Sequence, residues 1–494
     1  MFLVFVLALL SLSYVWLRNR YSYWDRRKVR GPKPVFLFGN LLKQLTFREH
    51  IGLAYQRWYN TYNNASYVGF YKLLQPAVMI RDPELQREML VKAFTNFQTN
   101  DVTVSDGDEL LKSNPFFVTG EEWRHGRALF STFLSANKTK AVFPAMLTVG
   151  NEWEQYVRTL GENAEVDAKD ICSRFTTETM LRCTFSIDGK SFESHRTEFL
   201  DMGKSVFNPD MITAMKSMFV FLVPSLQKFI KVSTVPKLLA KRFTDIVREQ
   251  MKIRDSGAVY CEDVLQFVLN SRKKFEMTET QIIGTCTVFF IEAYETSANT
   301  LSLALYNLAK HHHIQEELAR RIQESFVAND NEITYDLIHK HEYLEKVAFE
   351  CMRIQTTFFG VQKLCTKPFR MPLLPGQTEP VTIPVGTPVV IPFNAVQQDP
   401  VHYPDPDLFD PERFSAEQRA QRLKSAYMPF SDGPRMCIGM HLAMFNFKMG
   451  LFQIIRRFDV KLHPNNEPFE MHPMSFFNIP MNGIKLTLTP RKTV

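Results

Sequence analysis

Apolar residues recur at helical spacing along most of this chain. Residues 281–310 form a long, mostly apolar run without a proline, which predicts a buried helix. Leu318–Phe326 continues in amphipathic style. From Tyr343 onward, Leu344, Val347, Cys351 and Ile354 again share one helical face. The texture changes between Thr366 and Ile391. Prolines at 368, 372, 375, 380, 384 and 388 punctuate short β-branched runs such as Val389-Val390-Ile391, so small strands joined by turns are expected. The tail 483–489 alternates strictly and predicts a strand. The expected fold class is mainly α with a minor β subdomain.

The N-terminal pattern is different. Met1–Leu17 is apolar apart from Ser11, Ser13 and the hydroxyl of Tyr14, at the short end for a bilayer-spanning helix. Arg18, Arg20, Arg26, Arg27, Lys28 and Arg30 follow, against the single acid Asp25. Such a run reads as a solvated face or a nucleic-acid patch when it stands alone, but directly behind an apolar segment it marks a membrane boundary. A cleaved signal peptide would place its cations ahead of the apolar run; this order favours an anchor with the remainder on the cytoplasmic side. Gly31-Pro32-Lys33-Pro34 cannot continue a helix. The expected division is a transmembrane signal anchor at 1–17, a basic, proline-rich hinge at 18–34 and one catalytic domain at 35–494. A second membrane contact is expected at Phe219-Val220-Phe221-Leu222-Val223-Pro224, with Phe229, Ile230 and lysines at 216, 228 and 231. A core helix pair fits that stretch equally well.

Composition adds less. A chain of 494 residues, 45% hydrophobic, supplies a large core, and its 42 phenylalanines suit an apolar-ligand pocket as well as simple packing. The seven cysteines are odd in number and contain no C-x-x-C, which argues against a disulfide framework or a zinc site. The net charge of +7 is modest and gives no reason to expect a nucleic-acid partner.

Cys437 is the exception among the cysteines. It closes Phe430-Ser431-Asp432-Gly433-Pro434-Arg435-Met436-Cys437-Ile438-Gly439, where the glycines free the backbone to turn. Arg435 and the loop amides are expected to favour the thiolate, the form that binds metal. The spacing F-x-x-G-x-R-x-C-x-G resembles the haem-binding loop of the cytochromes P-450. The resemblance implies that fold, with an N-terminal membrane anchor helix, haem b held through iron by the Cys437 thiolate, and Phe430 and Arg435 against the cofactor.

Other motifs fit the same resemblance. Trp123 and Arg127 match a W-x-x-x-R whose members bind a haem propionate, and their i,i+4 spacing lets both reach one group. Glu350, Arg353 and Arg413 resemble a buried Glu-Arg-Arg cluster with a structural role. On the long helix, Glu295 and Thr296 fit an acid–alcohol pair that delivers protons for oxygen activation, and both are therefore catalytic candidates.

Three departures stand out. Glu292 and Ala293 replace small residue and glycine, and Glu292 shares a helical face with Thr296. The spacing is similar to that of fatty-acid ω-hydroxylating members, whose corresponding glutamate forms an ester with a haem methyl. A covalent haem ester at Glu292 and a free glutamate, paired with a cation or hydrated, both remain open. After Arg353 the usual prolines are absent, and Lys363 stands where a propionate-binding arginine is expected; a lysine contact there would be looser. His311-His312-His313 point in different directions and read as a solvated connector.

The succession of motifs looks most like insect microsomal members. This implies a monooxygenase of the endoplasmic reticulum membrane, its catalytic domain cytoplasmic, acting on lipophilic foreign compounds or insect hormones. The chain has no dinucleotide fingerprint, so NADPH must act through a flavoprotein reductase, with cytochrome b5 as a further donor. Arg419, Arg422, Lys424 and Lys448 are the expected docking cations. An O2-independent rearrangement enzyme and a catalytically impaired haem-binding membrane protein are the alternatives.

Overall fold

The computed structural model describes residues 1–105, 107–193, 198–230, 232–257 and 259–492. Lys231 lies outside them, as does the side chain of Lys228. Helices dominate, as the periodicity predicts. The ones that matter for the site are α1 (Phe2–Tyr21), α2 (Gly120–Phe133), α3 (Ala168–Phe185), α4 (Glu279–Lys310), α5 (Glu342–Ile354) and α6 (Met440–Arg457).

Helix α4 is the axis of the molecule. Thr278 caps it: its hydroxyl accepts from the Gln281 amide at 3.3 Å while the Gln281 side chain accepts from the Thr278 amide at 2.9 Å. Most of its residues are buried, so it packs on several sides at once, against α3, α5 and α6. Gly450 permits the approach of α6, since a Cβ there would lie 2.7 Å from a Leu301 methyl.

The strands are β1 (Tyr67–Lys72), β2 (Gln75–Ile80), β3 (Thr99–Asn100), β4 (Val166–Asp167), β5 (Val361–Leu364), β6 (Phe369–Arg370), β7 (Thr382–Ile383), β8 (Pro388–Ile391), β9 (Phe458–Leu462) and β10 (Lys485–Pro490). Five form a sheet in the order β1-β2-β8-β5-β3, in which only the β2–β8 pair is parallel. The proline-rich stretch yields only β6, β7 and β8, because proline removes ladder donors. The tail strand starts two residues later than predicted, since Gly483, at φ 69°, belongs to the preceding turn.

The N-terminal helix runs to Tyr21 and takes Arg18 and Arg20 into its last turn, past the expected boundary at 17. With the following turn it is apolar and long enough to cross a bilayer, and its window has a mean hydropathy of 1.7 and is 6% buried. The segment behind it is clamped onto the sheet. Trp24 is buried over Gly69 and donates to the Phe70 carbonyl at 2.9 Å, and Gly69 donates to the Arg30 carbonyl at 3.0 Å.

At residues 219–223 the core reading prevails. Val220, Leu222 and Val223 are buried, and Phe221 stacks on Phe476 with ring centroids 4.0 Å apart. The exposed apolar side chains are its neighbours Met211, Ile212, Met215, Phe229 and Ile230. The histidine run is also less free than expected. His311 stacks on Phe409 at 5.0 Å, and His312 lies 2.8 Å from Asp459.

Candidate functional site

A cavity of about 410 Å³ opens between α4, the β5 region and the loop that precedes α6. Cys437 faces it. The cysteine amide donates to the Phe430 carbonyl at 2.8 Å and the Met436 amide to the Gly433 carbonyl at 3.0 Å, which fixes the loop. Gly433 is required: its φ is 76°, and a Cβ would lie 2.1 Å from the Leu90 carbonyl oxygen. Gly439 has an ordinary φ of −86° and serves instead as the bare N-cap of α6, where a Cβ would project into open space.

The electrostatics differ from expectation. Burial pushes the Cys437 thiol up, against the opposing pull of the Gly439 amide and the Arg127 charge. Arg435 is not the activating cation. Its guanidinium donates to the carbonyls of Pro115 and Val118, at 2.7 and 2.8 Å, and lies 4.8 Å from the Trp123 ring. A metal bound here would deprotonate the thiol outright, as it does any coordinating thiol.

Arg127 donates to the Met436 carbonyl at 2.6 Å and lines the cavity with Trp123, Phe430 and Arg435. Lys363 does not line it. Strand alternation turns Gln362 to the cavity and Lys363 away, where it is buried and donates to Asn100 Oδ1 at 2.8 Å. Lys363 is thus not placed for the direct propionate contact expected of it, and Asn100 stands between it and the cavity. Among the described residues, none of Arg127, Arg435 and Lys363 has an acidic partner. Burial, aided by Arg435, pulls Lys363 down to about 7, and burial with Arg127 pulls Arg435 down to about 10. The Arg435 Nε is buried without a partner. Cations in this condition call for an anion.

On the opposite wall α4 presents Glu292, Ala293, Thr296, Ser297 and Thr300. Glu295 is missing from that surface. It is buried on the other side and accepts from Lys169 Nζ at 2.7 Å. Successive helical residues point about 100° apart, and here that step carries Glu295 off the edge of the face that Thr296 and Ser297 present to the cavity. The expected relay partner is therefore turned away from Thr296. Glu292, one turn earlier, does face the cavity, where its Oε1 accepts from Asn114 Nδ2 at 2.9 Å. Burial pushes Glu292 up to about 7. The Thr296 hydroxyl donates to the Glu292 carbonyl at 2.7 Å.

Behind the cavity, Arg353 grips Glu350 with two hydrogen bonds of 2.7 and 2.9 Å, both side chains fully buried. Arg413 is a weaker third member, with its Nε 3.7 Å from Glu350. Of the expected docking cations, Arg419 and Lys424 are exposed. Lys448 is buried, paired with the His339 carbonyl and Glu345, and Arg422 lies over the rings of Tyr403 and Phe414. Both are structural and leave the docking set.

Sequence reasoning missed Asn100, Asn114 and Lys169, whose roles come from long-range packing and leave no local pattern. It also missed Phe207 and Phe477, which line the cavity and pack on each other at 5.3 Å; Phe358, from the segment after α5, joins Phe477 at 4.7 Å. In the unusual segment after α5, the Thr357 hydroxyl meets that of Thr300 at 2.7 Å. Gly360 there allows the chain to approach Ile391, whose carbonyl oxygen would lie 2.1 Å from a Cβ.

The family model for cytochrome P450 matches residues 29–488. The chain belongs to the cytochrome P450 family. Relatives extend over its full length. Cytochrome P450 6a2 of Drosophila melanogaster is 31% identical and aligns over 98% of each chain. Cytochrome P450 6B1 of Papilio polyxenes is 28% identical over 99% of each. Cytochrome P450 6l1 of Blattella germanica is 27% identical, covering 99% of this chain and 97% of its own. A P450 is a haem-thiolate monooxygenase, and the site fits such a cofactor: a cavity-facing thiol, an open cradle at Gly439, and the partly buried Arg127 and Arg435 with no acidic partner among the described residues.

Proposed function

We propose that this P450 inserts one atom of O2 into lipophilic substrates, either foreign compounds such as insecticides and plant toxins or insect hormones. Electrons come from NADPH through NADPH–cytochrome P450 reductase, with cytochrome b5 as a second donor, and the other oxygen atom leaves as water. Cys437 would hold the iron of haem b through its thiolate. Trp123, Arg127 and Arg435 would hold its propionates, with Lys363 behind Asn100, and Phe430, the first residue of the Cys437 loop, would lie against the haem. The carrying observation is a single thiol facing an apolar cavity whose far wall bears the Thr296 hydroxyl. Bound haem iron supplies the oxygen chemistry, which a thiolate ligand favours by pushing electron density toward O–O cleavage. Thr296 donates to its own helix and keeps its lone pairs toward the cavity, so it can hold water and pass protons. Glu295 can support it only by leaving Lys169.

Helix α1 anchors the protein in the endoplasmic reticulum membrane, with 1–17 as its apolar core, 18–34 as a docked basic connector and 35–494 as the cytoplasmic catalytic domain. Exposed Met211, Ile212, Met215, Phe229 and Ile230 complete the membrane contact. Reconstitution with the reductase, NADPH and a lipophilic substrate tests the assignment. Expected is reductase-dependent product carrying label from isotopically labelled O2. Product formed without O2 would favour the rearrangement enzyme, and haem uptake without any product the impaired one.

The exposed pair Arg419 and Lys424 supports reductase docking. Reversing both to glutamate is expected to slow the first electron transfer about tenfold at low salt, through the association step, with the haem spectrum unchanged. Stopped-flow reduction measures this, and an unchanged rate at low salt rejects the assignment. Glu292 stays a free acid in this reading, held by Asn114. Acid–organic extraction is then expected to release all haem, whereas haem retained on the intact mass of the chain would establish the ester at Glu292.

A further inference from the structure

Glu292 is the sole carboxylate on the cavity surface among the described residues. Among the described residues its carboxylate forms no ion pair, and the side chain that donates to it is Asn114, which is neutral. Asn114 cannot turn to another task, because its Oδ1 already accepts from the Phe116 amide at 2.8 Å. Arg127 donates to the Met436 carbonyl and Arg435 to those of Pro115 and Val118, and neither is paired with Glu292. The family's usual acid, Glu295, has a lysine; Glu292 has no counter-charge. A carboxylate held in an apolar chamber is costly unless a cation joins it, and burial already pushes this one up.

The chamber around it suits a cation that carries apolar bulk. Its walls include Phe116, Phe207, Phe221, Phe358, Phe476 and Phe477. Aromatic faces attract ammonium groups, more strongly when water is excluded. We propose that Glu292 is a specificity residue that selects lipophilic amines, its carboxylate pairing with the protonated nitrogen while the phenylalanines take the hydrocarbon. This rests on the cavity being the substrate chamber of a haem-loaded enzyme.

The test uses the holoenzyme and two ligands of one shape, N,N-dimethyloctylamine and its carbon isostere isoundecane. Optical titration follows the Soret shift that accompanies displacement of water by a bound substrate. The amine is expected to bind about tenfold more tightly than the alkane, as a buried charge-assisted pair allows. In Glu292→Gln, which keeps the carbonyl that Asn114 reaches, that preference should vanish while alkane affinity stays the same. Equal affinities in the unsubstituted protein overturn the proposal, as does a preference that survives in Glu292→Gln. A red-shifted band, meaning nitrogen bound to iron, or haem retained covalently by the chain overturns it as well. If the alkane alone still shifts the spectrum, the substrate chamber stands and only the amine selectivity falls. If neither ligand does, both fall.

Discussion

Replacing Cys437 with alanine is expected to abolish the red-shifted Soret band of the reduced carbon-monoxide complex, and with it all NADPH-dependent oxygenation. No other thiol can take its place. Cys172, Cys183, Cys286, Cys351 and Cys365 are buried elsewhere, and Cys261 does not line the cavity. The substitution removes little else. The Cys437 side chain faces the cavity, so no packed core is emptied, and the loop keeps its hydrogen bond from residue 437 to the Phe430 carbonyl. Thermal unfolding of the haem-free protein should therefore be nearly unchanged, which separates loss of a ligand from loss of the fold. A band that persists in Cys437→Ala would remove this residue from the metal. A wild-type protein that folds and takes up haem without showing the band would remove the catalytic reading.

How far the sequence reaches depends on whether a feature is local. Helix α4 was legible almost to the residue, 281–310 against Glu279–Lys310, because a long apolar run without a proline has few other solutions. The tail strand was legible because only one of its faces is buried, which leaves alternation in the sequence. Strands β1 and β2 left no such trace: β1 is buried at every position, and a strand covered on both faces does not alternate. The site shows the same division. The Cys437 loop is a contiguous string, and its motif survives intact. The corrections at Glu295, Lys363 and Lys448 all concern which way a charged side chain turns and what it meets. Lys169, Asn100 and Glu345 lie 126, 263 and 103 residues away from them, so no window of sequence contains both partners.

The Glu350–Arg353 pair carries the second large effect. Arg353 is fully buried and spends its guanidinium on Glu350 and on the carbonyls of Gln397, Pro406 and Leu408, at 3.0, 2.8 and 3.2 Å. It thereby ties α5 to the segment that leads into the Cys437 loop. Arg353→Ala would strand the buried Glu350 carboxylate and the buried Gln397 carbonyl, leaving the carboxylate only the Asp410 amide at 2.8 Å and the distant Arg413. Removing one partner of a buried pair costs about 3–5 kcal/mol, so a lower denaturation midpoint and failure to retain haem are expected. Arg353→Lys restores the charge without the two-pronged grip and should fall between. Arg413→Ala should cost far less, about 1 kcal/mol, because that side chain is 12% exposed and its contact is long. Denaturant unfolding and the haem-to-protein absorbance ratio would rank the three variants. If Arg413→Ala proved as damaging as Arg353→Ala, the cluster would be a true triad, and the carboxylate would belong equally to both arginines.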